Sequence, residues 1–131
     1  KKINNLNFKF PKIIDKNLRG FHNVKIGNGT IILSSTNILN DTNIGKFCII
    51  GTNTQILHDV EIGDHCIIGG GTIIGANVKF KKEIFVGIGS VFASKKITIN
   101  EKCYICSGSV VLNSLSPNCK VIGNPARKIP S

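Results

Sequence analysis

Three histidines, His22, His58 and His65, and five cysteines are the side chains of this 131-residue chain best suited to proton transfer or metal binding. His58 stands apart because Asp59 follows it directly. An imidazole titrates near ~6.5, and a neighbouring carboxylate favours its protonated form, so the pair suits proton removal from an attacking amine or hydroxyl at working pH. Taken alone, an ordinary surface histidine is the competing explanation. A zinc centre is not expected, since it needs several histidine or thiolate ligands at suitable spacing and His22 falls outside the repeat described next. Cys48, Cys66 and Cys103 occupy a small, inward position of that repeat and read as buried small hydrophobes. The absence of C-x-x-C spacing in this reading, in a chain not short and disulfide-rich, points to a reducing, cytoplasmic compartment.

What positions His58 is a period of six. From Ile26 an apolar residue recurs at every sixth position for twelve steps, through Ile32, Ile38, Ile44, Ile50, Ile56, Ile62, Ile68, Ile74, Phe80 and Val86 to Phe92. Two residues before each sits a small or β-branched side chain, as at Thr42, Cys48, Thr54 and Val60, and glycine often follows directly, as at Gly45, Gly51, Gly63, Gly69, Gly75 and Gly87. Six matches neither the helix period of 3.6 nor an amphipathic strand's 2.0. It matches a solenoid with three short strands per coil of about 18 residues, like residues stacking in ladders. The aliphatic residue and the one two before it both face inward, and the glycine is expected to supply the freedom a corner needs. After Phe92 the phase slips by one at Ser94-Lys95-Lys96 and resumes at Ile99, Ile105 and Val111. Residues 24–113 then hold fifteen hexads, about five coils of an all-β parallel β-helix. His58, two residues past Ile56, falls outside the prism beside a corner.

The flanks differ. Residues 1–23, with Phe8-Lys9-Phe10-Pro11 and Arg19-Gly20, read as a leading strand and loop. Residues 114–131, with Pro117, Gly123-Asn124-Pro125 and Pro130, read as a tail capping the last coil, where a short helix has room. The chain starts at Lys1 rather than Met, as a fragment or processed product does, and shows no signal peptide. No stretch approaches the ~20 apolar residues of a membrane span. The net charge of +10, with Lys79, Lys81, Lys82, Lys95, Lys96 and Lys102 in the second half, favours an anionic partner, although a lysine-rich composition explains part of it. Nucleic acid is disfavoured by a single Tyr, no Trp and no reading-helix motif. A phosphorylated small molecule suits the fold better.

The repeat resembles the hexapeptide motif [LIV]-[GAED]-x-x-[STAV]-x of left-handed parallel β-helix proteins, and the left hand comes from that resemblance alone, against the general right-handed rule. The segment from Gln55 to Asp64, with Gly87-Ile88-Gly89-Ser90 and the ending Val121-Ile122-Gly123-Asn124-Pro125-Ala126-Arg127, is similar to bacterial sugar acetyltransferases. These include sialic-acid O-acetyltransferases and the bacillosamine-type N-acetyltransferases of UDP-4-amino sugars. The resemblance runs from about Phe10 to the end. It implies His58 as general base, Asp59 as the acid supporting it, and acetyl-CoA as co-substrate. In the N-acetyltransferases a second histidine, nine positions past the base, contacts the acyl donor; Ile67 stands there. Other donor contacts, largely main-chain, map near Ala76, Ile88 and Ser107, with an N–H near Ala76 holding the oxyanion. Relatives carry an N-terminal sugar-nucleotide domain, which residues 1–23 do not supply.

The function expected is acetyl transfer from acetyl-CoA to an amino or hydroxyl group of a sugar or nucleotide sugar in bacterial surface-glycan synthesis. The expected assembly is a homotrimer with acetyl-CoA between prisms. A small non-sugar acceptor, or a non-catalytic β-helix scaffold, are the alternatives.

Overall fold

The computed structural model describes residues 9–20 and 22–130; Phe8 and Lys1 lie outside the described residues. Strands of mostly two residues alternate with four-residue corners, as a six-residue period requires. The first coil comprises β1 (Ile13–Ile14), β2 (Arg19–Gly20) and β3 (Lys25–Ile26), and the second β4 (Ile31–Ile32), β5 (Asn37–Ile38) and β6 (Asn43–Ile44). The third comprises β7 (Ile49–Ile50), β8 (Gln55–Ile56) and β9 (Glu61–Ile62), and the fourth β10 (Ile67–Ile68), β11 (Ile73–Ile74) and β12 (Lys79–Phe80). The fifth holds β13 (Phe85–Val86), β14 (Val91–Phe92) and β15 (Thr98–Ile99); β16 (Tyr104–Ile105), β17 (Val110–Val111), β18 (Lys120–Ile122) and β19 (Arg127–Lys128) complete the chain.

Equivalent strands of successive coils pair in parallel and form three faces. The first runs β1-β4-β7-β10-β13-β16-β18-β19, the second β2-β5-β8-β11-β14-β17 and the third β3-β6-β9-β12-β15. The register places Ile44 beside Ile62 and Ile62 beside Phe80, so the ladders expected from the period are the core. Ile38, Ile50, Ile56 and Ile74 are wholly buried. Each such side chain contributes on the order of 1.5–3 kcal/mol relative to exposure. The small inward residues serve a second purpose. Thr30 donates to the Gly45 carbonyl at 2.7 Å and Cys48 to the Gly63 carbonyl at 3.1 Å, so a short donor there satisfies a corner of the next coil. No described buried side-chain N or O is left without a partner.

Four features depart from the sequence reading. The stack begins at β1 and β2, which pair with β4 and β5, so the coils number about six rather than five. At the other end no helix forms among the described residues. Leu115 bridges Ile99, β18 pairs with β16, and β19 turns back antiparallel, the next strand extending the solenoid because its inward Cys119 and Val121 stay buried. The glycines after the aliphatic residues are also not needed for left-handed backbone. That conformation falls two residues later, at Asp41, Phe47, Asn53, Asp59 and His65. Gly63 is required instead because a Cβ would lie 2.7 Å from the Lys81 backbone of the next coil. Finally, Cys103 and Cys106 have C-x-x-C spacing, but Cys103 points into the prism and Cys106 lies at a corner; every described cysteine is free. Burial pushes the Cys103 thiol up, and hydrogen bonding to Cys48 together with burial does the same to Cys66. The slip after Phe92 is present as expected: seven residues, not six, separate equivalent positions of β14 and β15.

Candidate active site

His58 lies on the edge between the second and third faces, in the corner joining β8 to β9. Its Nδ1 is 2.7 Å from Oδ2 of Asp59, and both side chains are about half exposed, 54% and 53%. Asp59 has a φ of 57°. Aspartate tolerates that conformation, so the corner itself turns the carboxylate back onto its neighbour. The backbone is tied on both sides: Asp59 N–H donates to the Asn40 carbonyl, and Asn77 N–H donates to that of His58. With Nδ1–H donating to the carboxylate, Nε2 presents a lone pair outward. This can accept a proton from a nucleophile.

Next to the pair, a groove of about 360 Å³ opens on the third face, lined by Asp41, Asn43, Asp59, Glu61, Asn77 and Lys79 together with Val78, Lys96, Ile97 and Thr98. Its polar lining includes the Glu61–Lys79 ion pair at 3.4 Å. Both signs of charge are present, which suits a polar, hydroxyl-rich molecule better than an apolar one.

The remaining candidates fall elsewhere on the prism. Ala76 occupies the equivalent place one coil beyond His58 and is buried, but its N–H donates to Ser94 Oγ at 3.0 Å. That amide is therefore engaged by Ser94, at the place where the sequence reading expects an N–H near Ala76 to hold the oxyanion. Ile67 begins β10 on the first face, 42% exposed. Ile88 and the exposed Ser107 sit in successive corners of the edge between the first and second faces, where Gly108 N–H donates to the Ile88 carbonyl. One prism thus collects His58, Asp59 and Ala76 on one edge and Ile88 and Ser107 on another, with Ile67 on a face adjoining neither His58 nor its corner.

Two features were missed in the sequence. Apart from the exposed Ile88 and Ser107, the edge that carries them is largely bare main chain, with Gly69, Gly70, Gly71, Gly87, Gly89 and Gly108 in consecutive corners. Gly89 and Gly108 have left-handed φ of 67° and 72° with open space where a Cβ would be. Equivalent corners elsewhere use Asn53 or Asp41, so a glycine is not imposed by packing here. The signal was visible as glycines two places later than the expected ones. The second is an apolar outer stripe on the first face: Ile31, Ile49, Ile67, Phe85 and Tyr104 lie in register along it. Phe85 and Tyr104 stack at 4.6 Å. On the third face the same column is Lys25, Asn43, Glu61, Lys79 and Thr98.

Among the described residues no helix is long and apolar enough to cross a membrane, and no cluster of His, Cys, Asp or Glu is arranged to hold a metal ion. No curated protein matches the chain. Solved structures do. PerB from Caulobacter crescentus, in complex with CoA and GDP-perosamine, superposes with a TM-score of 0.93 at 25% identity, over 98% of this chain and 62% of that one. The acetyltransferase domain of PglB from Neisseria gonorrhoeae FA1090 superposes with a TM-score of 0.90 at 21% identity, over 98% of this chain and 62% of that one. AntD from Bacillus cereus, an N-acyltransferase solved as a serine-to-alanine mutant with dTDP-4-amino-4,6-dideoxyglucose and coenzyme A, gives 0.83 at 21% identity, over 98% of this chain and 88% of that one. The chain thus spans about three fifths of the length of the first two. Residues 41–76, the stretch that contains His58 and Asp59, match the family model for bacterial transferase hexapeptide (six repeats).

Proposed function

We propose that this chain transfers an acetyl group from acetyl-CoA to an amino or hydroxyl group of a sugar, the amine of a nucleotide-linked amino sugar being the acceptor that fits best. The observation that carries the reading is the His58–Asp59 pair at 2.7 Å, set on the edge of a hexapeptide-repeat solenoid. The likeness to PerB with CoA and GDP-perosamine, and to AntD with CoA and an amino-sugar nucleotide, supports the substrate class.

In this reading His58 Nε2 takes the proton of the attacking amine or hydroxyl, and Asp59 holds Nδ1–H and steadies the imidazolium. The groove beside Asp59 receives the acceptor. The thioester arm runs along the bare edge at Gly87-Ile88-Gly89 and Ser107, with phosphates near lysines of the second half and tail. Those elements occupy different edges of one prism, so the site is completed by a neighbouring copy, in a homotrimer packed through the apolar first face. Ile67, where the N-acetyltransferases have a histidine, contributes an apolar contact to the donor and no hydrogen bond. The compartment that fits acetyl-CoA and free thiols is the cytoplasm.

The test is release of CoA from acetyl-CoA on addition of a UDP-4-amino sugar or free sialic acid, each assayed separately. Turnover with the amino sugar supports N-acetylation; turnover only with sialic acid redirects the reading to O-acetylation. No release with either would leave the scaffold alternative.

A further inference from the structure

Ser94 lies two coils beyond His58 on the same edge, in the column His58, Ala76 and Ser94. The corner between β14 and β15 holds five residues rather than four, and Gly75 lets it lie close on the coil before it. Any Cβ at Gly75 would run into the backbone nitrogen of Ser94. That close approach seats the Ser94 hydroxyl on the Ala76 N–H at 3.0 Å. A hydroxyl that accepts through one lone pair still carries its own hydrogen. Ser94 is exposed, and its hydrogen is committed to no acceptor among the described residues.

We propose that the Ser94 hydroxyl, polarised by the Ala76 N–H, is the hydrogen-bond donor to the acyl carbonyl oxygen during transfer, in place of the amide itself. The proposal rests on the acetyl-transfer reading above. The spacing allows it. Adjacent coils are about 4.8 Å apart, so Ser94 and His58 are separated by ~10 Å of backbone. An imidazole, an attacking nitrogen, a carbonyl and a hydroxyl, joined by hydrogen bonds of ~3 Å at each end, fill about that distance.

In the step itself the acceptor nitrogen lone pair bonds to the thioester carbon, and the C=O π pair moves onto oxygen, where it meets the Ser94 O–H. The proton on nitrogen passes to His58 Nε2. The oxygen pair then re-forms the double bond, the C–S bond breaks, and sulfur leaves with its electrons, taking the proton from the imidazolium to become the thiol. Ser94 is unchanged throughout.

The experiment compares Ser94→Ala, Ser94→Thr and His58→Ala in steady-state acetyl transfer from acetyl-CoA to the UDP-4-amino sugar, with thermal melting as a folding control. Loss of one such donor typically costs about 10²–10³-fold in turnover. Ser94→Ala is expected to lose on that order in kcat with KM for acetyl-CoA nearly unchanged, and Ser94→Thr to recover most of it. Full or raised activity in Ser94→Ala, in which the Ala76 N–H is released, would overturn the proposal. So would a rise in KM alone, or a Ser94→Thr as impaired as Ser94→Ala. In those cases an inactive His58→Ala leaves the acetyl-transfer reading standing. A wild-type protein that transfers nothing overturns both.

Discussion

Asp59 Oδ2 lies 2.7 Å from Nδ1 of His58, and the same aspartate holds the left-handed φ of 57° that closes its corner. One side chain therefore meets two demands, the turn and the orientation of the imidazole. The two can be separated. Asparagine accepts left-handed backbone as readily as aspartate but lacks the negative charge. Asp59→Asn is expected to melt within a few degrees of wild type while losing turnover, by less than the ~10²–10⁴-fold assigned to the base itself. Melting curves and kcat on the same preparations check this; undiminished kcat would leave Asp59 a corner residue only.

The bare edge yields a second prediction. Gly89 has a φ of 67° and nothing within 4 Å of its missing Cβ, and other corners carry Asn at the equivalent place. Gly89→Asn should fold normally. If acetyl-CoA runs along this edge, the new side chain stands in its path, and calorimetric affinity for acetyl-CoA should drop by at least about tenfold, ~1.4 kcal/mol. Unchanged affinity would move the donor elsewhere.

Assembly is testable through the first face. Ile49 is 39% exposed, between Ile31 and Ile67 in its apolar stripe. A charge at the centre of a buried interface is strongly unfavourable, so Ile49→Glu should convert a three-chain species in sedimentation to single chains and abolish turnover, because the site needs a second copy. Wild-type protein that sediments as one chain while active would contradict the shared site.

The core is probed at Ile62, 3% exposed and registered between Ile44 and Phe80. Ile62→Asp buries an unpaired carboxylate whose cost, several kcal/mol, is on the order of a whole domain's stability. Circular dichroism should show loss of the strand signal; a folded variant would mean that the ladder tolerates polarity.

The fold was legible because its period is strict: Ile26 to Phe92 names the inward positions and their register without any long-range information. Where the coils start and stop was less legible. Ile13-Ile14 and Arg19-Gly20 join the stack although their corners lack the repeat's small residues, and β18 joins after a run of turn residues at Ser114-Leu115-Ser116-Pro117. Pairing with an existing strand edge overrides a weak local pattern there. The glycines were misassigned because a corner suggests unusual φ, whereas coil-to-coil contact is what excludes a Cβ at Gly63. At the site, adjacency put His58 and Asp59 together, and the corner did the rest. The Ser94 contact on Ala76 was not legible: it depends on how a five-residue corner settles against the four-residue corner before it, which spacing does not reveal.

Everything proposed for the site depends on His58 acting as the general base of an acetyl transfer. Its most direct test is single-turnover acetyl transfer by wild type and His58→Ala, saturated with acetyl-CoA, to the amino-sugar acceptor. The expected result is a loss of about 10²–10⁴-fold in the transfer rate with acetyl-CoA affinity nearly unchanged. Equal rates in the two proteins would contradict it.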